Sequence, residues 1–122
     1  MIKGIGIDLI ELDRIRKSLE KGEQLIQRIL TDKEKEAFYE LNSQKRKIEY
    51  LAGRFAAKEA FAKATGDGIG KLSFKDIEIL KNEKGAPTIT ALGYEHYEIF
   101  ISITHTSDYA AVQVVIEERD NT

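Results

Sequence analysis

The sequence predicts an α+β fold in which a mostly antiparallel sheet packs against one long helix and shorter N-terminal helices. Three observations support this class. Helical periodicity dominates the first half of the chain, β-branched alternation dominates the second half, and a β-rich segment opens the chain. No linker rich in Pro, Gly or Ser divides the 122 residues, so residues 1–122 are expected to form a single domain.

The first predicted element is a strand at Ile2–Glu11, where two kinds of side chain alternate. Ile5, Ile7 and Leu9 point to one face, whereas the other face carries two glycines and then Asp8. Glycine weakens a strand, so the bare face indicates the close approach of another element or of a ligand. For Asp8 alone, a cap on the following helix is the ordinary alternative.

Helical patterns follow this strand. Asp13 is expected to cap a charged segment that Gly22 interrupts. Thr31 and Glu34 form a predicted capping box for a further helix, because a hydroxyl and a carboxylate at this spacing can each accept from the other residue's backbone N–H. Residues 42–47 are predicted to be the turn into the long helix.

The long helix is predicted over residues 48–70, an Ala-rich segment that closes with a glycine cluster. Glu59 falls in the middle of its apolar stripe, where an unpaired charge is costly. An ion pair with Lys63, one turn later, is the ordinary explanation. The opposite side carries a basic stripe that includes Arg54 and Lys58, and such a stripe is typical of a solvated face.

The remainder of the chain predicts strands. His105 ends an apolar row in one of them, a position where histidine is usually structural. The first two strands are expected to form a hairpin about a turn at residues 82–87. The predicted strands span residues 74–80, 88–92, 97–105 and 109–117.

Composition excludes several classes of function. The chain has no cysteine, so a disulfide framework, a thiolate zinc site and a cysteine nucleophile are all excluded. The N-terminus lacks the features of a signal peptide and no segment is apolar enough to span a membrane, which predicts a cytoplasmic protein with no membrane partner. A net charge of −2 without an aromatic-rich basic patch disfavours nucleic acid as a partner.

Asp8 and Glu59 together suggest a metal site. They are oxygen ligands without an accompanying His or Cys cluster, which suits Mg²⁺ better than zinc. Two carboxylates leave coordination positions for waters and substrate phosphates, and basic side chains would bind more phosphate charge. The candidates for that second role are Arg54, Lys58, Lys63 and His105.

Three motifs also occur in order along the chain. They are I-G-I-D at residues 5–8, F-A-A-K-E-A-F-A-K at residues 55–63 with a G-D-G-I-G tail, and S-I-T-H at residues 102–105. In these motifs the chain resembles bacterial holo-acyl-carrier-protein synthase, the short class of 4′-phosphopantetheinyl transferases. The resemblance implies transfer of the phosphopantetheine arm of coenzyme A to a serine of an apo-acyl carrier protein, with release of adenosine 3′,5′-bisphosphate, in fatty acid biosynthesis.

The resemblance implies roles for individual residues as well. Asp8 and Glu59 match the family's magnesium ligands and Lys63 matches its phosphate-contacting lysine, so these three residues would carry catalysis. Either a metal-bound water or Glu59 acting through that water would remove the serine proton. The residues expected to bind coenzyme A are Arg54, Lys63, Gly66, Gly68, His105 and Thr106, the glycines through backbone N–H groups and the remainder near phosphates.

A docking surface for the acidic carrier protein is expected on the basic segment after the first strand, at Arg14, Lys17 and Lys21. The alternative is a merely solvated helix. The resemblance further implies a homotrimer with active sites between subunits. A different class of function, a non-catalytic module that binds coenzyme A or a nucleotide through Mg²⁺, would use the same carboxylates without a docking surface.

Overall fold

The computed structural model describes residues 1–68 and 72–119. Helices precede most of the strands and one helix is far longer than the others, so the predicted α+β class is confirmed. The helices are α1 (Leu12–Glu20), α2 (Gln24–Ile29), α3 (Asp32–Glu40) and α4 (Gln44–Thr65). The strands are β1 (Ile2–Glu11), β2 (Ile77–Lys81), β3 (Pro87–Ala91), β4 (Tyr97–His105) and β5 (Tyr109–Glu118).

The strands form two antiparallel sheets. One has the order β1-β5-β4, and the other is the predicted hairpin of β2 and β3. Because β5 is central, its inward residues Val112, Val114 and Ile116 are fully buried against α4. Burying side chains of this size stabilises the fold by about 1.5–3 kcal/mol each. The long helix therefore forms the core of the fold with the inner face of the larger sheet.

The glycines of β1 are explained by the helix that covers them. An ideal Cβ on Gly6 would lie 1.8 Å from the carbonyl oxygen of Ala60, and one on Gly4 would lie 1.8 Å from that of Ala64. No other residue type fits at these positions without moving the helix backbone. Of the two alternatives for the bare face, the approach of another element is thus the one observed, and it brings Asp8 close to α4.

The long helix begins earlier than predicted. Ser43 is its N-cap, since the Ser43 hydroxyl accepts a hydrogen bond from the Arg46 N–H at 3.1 Å. The predicted turn at residues 42–47 is therefore mostly the first turn of α4. At the other end Gly66 adopts a left-handed φ of 85°, which terminates the helix as the glycine cluster indicated, although residues 69–70 lie outside the described part of the chain.

The other helices and strands differ from the predictions only near their ends. Glu11, and not Asp13, is the N-cap of α1, and Asp13 lies in its first turn. The capping box is confirmed, with the Thr31 N–H 2.9 Å from Glu34 Oε1 and the Glu34 N–H 3.3 Å from Thr31 Oγ1. A 3₁₀ turn at Phe74–Asp76 replaces the start of the strand that was predicted over residues 74–80. None of the helices in residues 1–68 and 72–119 has the length and hydropathy of a transmembrane segment.

A buried ion pair joins four elements. Lys58 Nζ lies 2.6 Å from Glu34 Oε1 and donates to the Ile29 carbonyl at 2.6 Å, while Glu34 Oε2 accepts from the Ile79 N–H at 2.8 Å. Both charged side chains are fully buried, and burial lowers the pKa of the Lys58 ammonium against the opposing effect of Glu34. The prediction that Lys58 is solvated, or available to phosphate, is therefore wrong.

Candidate active site

Asp8 and Lys63 meet where β1 crosses α4. Lys63 Nζ lies 3.0 Å from Asp8 Oδ1 and donates to the Ile7 carbonyl at 3.1 Å. The Asp8 side chain is 17% exposed, whereas that of Lys63 is 55% exposed. Asp8 therefore does not cap the next helix, and the salt-bridge partner of Lys63 is Asp8 in place of Glu59. The contact leaves the ammonium open to solvent.

Glu59 lies one helical turn before Lys63, and its carboxyl group interacts electrostatically with that of Asp8. Partial burial raises the pKa of the Glu59 carboxyl, and the charge of Asp8 raises it further, with Lys63 and two arginines opposing. Two carboxylates that repel each other in a half-buried setting are stabilised when a cation binds between them. No group of three or more His, Cys, Asp and Glu capable of holding a metal occurs in the described residues. A two-carboxylate donor set of this kind fits Mg²⁺ that retains waters and phosphate ligands.

A cavity of about 380 Å³ adjoins Glu59 and is lined by Arg14 and Arg28. The rings of Phe55 and Phe74 stack in its wall with centroids 5.7 Å apart, and the Arg28 guanidinium lies 5.5 Å from the centroid of Phe74. Sequence reasoning did not identify Arg28, because a single arginine on a six-residue helix carries no periodic signal. The cavity thus offers two cations and an apolar wall beside the carboxylates.

Arg54 lies on the opposite side of α4. A separation of five residues from Glu59 corresponds to a rotation of about 140° around a helix axis. Arg54 and His105 line a different pocket of about 330 Å³, together with Arg46 and Lys81. The expectation that Arg54 and His105 lie near the two carboxylates is therefore wrong for a single chain. Arg46 was missed because its segment was interpreted as a turn.

The Arg54 side chain is buried without a matching carboxylate contact. It is 7% exposed, and within the described residues its Nε atom has no hydrogen-bond partner. Burial lowers the pKa of its guanidinium. The group packs 4.0 Å from the ring centroid of Tyr50. A buried cation with an unused donor, at the wall of a pocket, is suited to an anionic ligand.

His105 and Thr106 lie at the end of β4, next to this pocket. His105 Nδ1 is 3.4 Å from Glu49 Oε2, and half of the His105 side chain is exposed. Thr106 Oγ1 accepts hydrogen bonds from the backbone N–H groups of Asp108 and Tyr109 at 3.2 and 3.0 Å. The hydroxyl of Thr106 therefore organises the turn into β5, whereas the imidazole of His105 is accessible to a ligand.

The two glycines predicted to bind coenzyme A have a structural role. Gly66 and Gly68 both adopt positive φ values after α4. The Gly66 N–H donates to the Lys63 carbonyl and the Gly68 N–H donates to the Ala62 carbonyl, each at 3.1 Å. Both donors are thus engaged at the helix end, which argues against their predicted use as coenzyme donors.

The predicted docking helix, α1, is less basic than its sequence indicates. Lys17 Nζ lies 3.2 Å from Asp13 Oδ2 on the exposed surface. Arg14 instead faces the cavity beside Glu59, and Lys21 lines a neighbouring groove with Arg28. Of the three residues predicted to dock the carrier, Arg14 is therefore the one that faces the cavity of Glu59.

On the outer face of the larger sheet, β1 carries a row of apolar side chains that is open in the single chain. Ile5, Ile7 and Leu9 of β1 are 56%, 63% and 63% exposed. Phe100 and Tyr109, on β4 and β5, are also exposed on this sheet. A cluster of exposed apolar side chains of this kind often marks an interaction surface.

Comparison with known proteins places this geometry in a family. Residues 4–115 match the family model of the 4′-phosphopantetheinyl transferase superfamily. The holo-[acyl-carrier-protein] synthase of Oceanobacillus iheyensis is 55% identical over 98% of this chain and 100% of the relative. That of Listeria innocua is 56% identical over 97% and 100% of the two chains.

Solved structures agree with this similarity. A holo-(acyl-carrier-protein) synthase from Bacillus anthracis, in complex with CoA (3′,5′-ADP), superposes with a TM-score of 0.88 and 45% identity, covering 98% of this chain and 99% of that chain. The Helicobacter pylori protein in complex with coenzyme A gives a TM-score of 0.81 and 36% identity, covering 93% and 99%. The resemblance inferred from the sequence motifs is thereby confirmed.

Proposed function

This chain belongs to the 4′-phosphopantetheinyl transferase superfamily, and we propose that it transfers the 4′-phosphopantetheine arm of coenzyme A to a serine of apo-acyl carrier protein. The products are holo-acyl carrier protein and adenosine 3′,5′-bisphosphate. The observation that carries the proposal is the juxtaposition of Asp8, Lys63 and Glu59, in a chain more than half identical along its length to holo-acyl-carrier-protein synthases.

In the proposed site Asp8 and Glu59 hold Mg²⁺. The support is their mutual repulsion, their limited exposure and their all-oxygen donor set. When bound, Mg²⁺ supplies positive charge to the pyrophosphate while the leaving phosphate gains negative charge. The two carboxylates come from a strand and a helix that pack backbone to backbone, so their spacing is fixed before substrate binds.

Lys63 is the proposed second cation for the pyrophosphate. Its ammonium has three N–H donors, of which two contact Asp8 and the Ile7 carbonyl. The third donor has no partner among residues 1–68 and 72–119 and is available to a phosphate oxygen at the exposed side. The serine oxygen of the carrier forms the new P–O bond, the bond to adenosine 3′,5′-bisphosphate breaks, and Lys63 stabilises charge on the phosphate through both steps.

The coenzyme's nucleotide end is proposed to bind in the pocket of Arg54 and His105. The unused Nε donor and the burial of Arg54 support a contact with the 3′-phosphate. This pocket lies across α4 from Glu59, so the two halves of the site face different sides of one chain. We infer that a second copy supplies the other half.

The family resemblance implies a homotrimer, and we propose that each of its active sites combines the carboxylate half of one subunit with the Arg54 half of the next. The open apolar face around Ile7 supplies a surface for assembly. Location in the cytoplasm and a role in fatty acid biosynthesis follow from the proposed substrates, coenzyme A and the acyl carrier protein. A single domain is supported by the family match over residues 4–115.

Mixed assemblies test the divided site. Glu59→Gln and Arg54→Ala chains are each expected to be inactive at low coenzyme A. When equal amounts are unfolded and refolded together, about a quarter of the sites receive two intact halves and transfer returns. Mixing Glu59→Gln with Asp8→Asn is the matched control, because both changes affect the same half and no site is restored. Equal activity in the two mixtures would refute the divided site.

The reaction itself is tested by mass spectrometry. The protein is incubated with coenzyme A, Mg²⁺ and an apo-acyl carrier protein, and the carrier's mass is expected to increase by one phosphopantetheine arm. A serine-to-alanine carrier and a sample with chelator are the controls. Binding of coenzyme A without transfer to any of several carriers would favour the alternative, a non-catalytic Mg²⁺-dependent binding module.

A further inference from the structure

The direction of the Arg54 side chain is set by a tyrosine. Arg54 and Tyr50 are four residues apart on α4, so their side chains lie on the same face of the helix. The guanidinium lies 4.0 Å from the centroid of the Tyr50 ring, within the range of a cation–π contact. The ring thus supports one face of the cation, while the Nε donor has no hydrogen-bond partner in the part of the chain that the structure describes.

Tyr50 is itself held in place by the buried part of the fold. Its hydroxyl donates to the Glu34 carbonyl at 2.9 Å, and its ring packs against Phe38 with centroids 6.0 Å apart. The side chain of Glu34 is fixed in turn by Lys58 and by the Ile79 N–H. A continuous series of contacts therefore runs from the buried ion pair, through the tyrosine, to the guanidinium at the pocket wall.

We propose that Tyr50 is a positioning residue that gives this protein its preference for the 3′-phosphorylated coenzyme. This inference rests on the proposed function, in which Arg54 meets the 3′-phosphate. An arginine that is held in one orientation loses less conformational entropy when it binds a phosphate than a mobile one. Without the aromatic ring, Arg54 retains its charge but loses the surface that directs it into the pocket.

The ring and the hydroxyl make separable contributions. Tyr50→Phe keeps the aromatic face and removes only the hydrogen bond to the Glu34 carbonyl. Tyr50→Leu and Tyr50→Met remove the face but leave an apolar side chain of substantial volume. The thermal unfolding of each variant is first compared with that of the parent. If Tyr50→Leu does not fold, Tyr50→Met takes its place in the kinetic comparison.

The readout is the ratio of KM for dephospho-coenzyme A to KM for coenzyme A. The parent is expected to prefer coenzyme A, and Arg54→Ala is expected to remove most of that preference. Tyr50→Leu is expected to reduce the ratio by about fivefold to tenfold, the effect of losing one desolvated cation–π contact. Tyr50→Phe should remain within about twofold of the parent. Little change is expected in kcat, because Glu59 and Lys63 lie across the helix.

A double variant separates positioning from general destabilisation. If Tyr50 acts through Arg54, adding Tyr50→Leu to Arg54→Ala causes no further fall in the ratio. A parent without preference, or an Arg54→Ala variant that keeps it, would remove the 3′-phosphate assignment and this inference together. A normal Arg54 effect with a parent-like ratio in Tyr50→Leu or Tyr50→Met would overturn the role of Tyr50 alone.

Discussion

Gly6→Ala tests whether the close packing of β1 on α4 builds the carboxylate site. An added Cβ would lie 1.8 Å from the Ala60 carbonyl oxygen and 2.9 Å from the Ala64 nitrogen, so strand and helix must separate by more than about 1 Å. Overpacking of this kind costs about 1–3 kcal/mol, which lowers Tm by roughly 5–10 °C in a domain of this size. Because Asp8 follows two residues later, the same shift moves it away from Lys63.

The assays are thermal unfolding and transfer rate as a function of Mg²⁺. A displacement of about 1 Å at reacting groups is expected to lower kcat about 100-fold. Gly53→Ala is the matched control for stability: its Cβ would meet only Ile103 Cγ2 at 3.5 Å, and Ala in a helix is more stable than Gly by about 0.5–1 kcal/mol. A Gly6→Ala protein with the parent's Tm and Mg²⁺ response would refute the argument.

Two further predictions follow from the charged residues. Lys58→Met leaves the Glu34 carboxylate buried without its partner and should destabilise the fold by about 3–5 kcal/mol. The double variant that also carries Glu34→Gln should recover part of this loss. Unfolding of Lys58→Met at the parent's temperature would contradict the buried ion pair. Arg14→Glu should raise the KM for the carrier protein more than that for coenzyme A, with a strong dependence on salt. Lys17→Glu is the comparison variant. The Lys17 ammonium already pairs with Asp13, so this change should have the smaller effect on the KM for the carrier protein.

Most of the fold could be predicted from the sequence because its main signals come from residues that are close together in the chain. The alternation in β1 and β5 and the Ala-rich periodicity of α4 depend on neighbours within a few residues. The Glu34–Lys58 pair could not be predicted in this way. Its two residues are 24 positions apart, and Glu34 also satisfies a complete capping box, so nothing in the sequence indicated a second partner.

In the candidate site, too, some residues could be predicted from the sequence and others could not. Asp8 and Glu59 were singled out because each is a carboxylate on a face that otherwise lacks polar groups, and the charge of Asp8 contributes to the raised pKa of Glu59. Arg54 was grouped with them on chemistry alone. Helical rotation puts Arg54 on the other side of α4, in a pocket separate from that of Glu59, and only the proposed assembly brings the two halves to one ligand.

The two faces of β1 link the proposed assembly surface and the proposed catalytic site to one strand. Asp8 faces α4, whereas Ile7, one residue earlier, is 63% exposed on the outer face. Ile7→Lys should therefore leave the protomer folded but place a charge in the proposed interface, where burial without a partner is costly. Size-exclusion chromatography with light scattering should show a smaller species, and transfer should fall with it because the Arg54 half of the next subunit is lost. Glu36→Lys, on the exposed surface of α3, is the control and should remain assembled. An active, monomeric Ile7→Lys protein would show that one chain suffices, and the divided site would have to be abandoned.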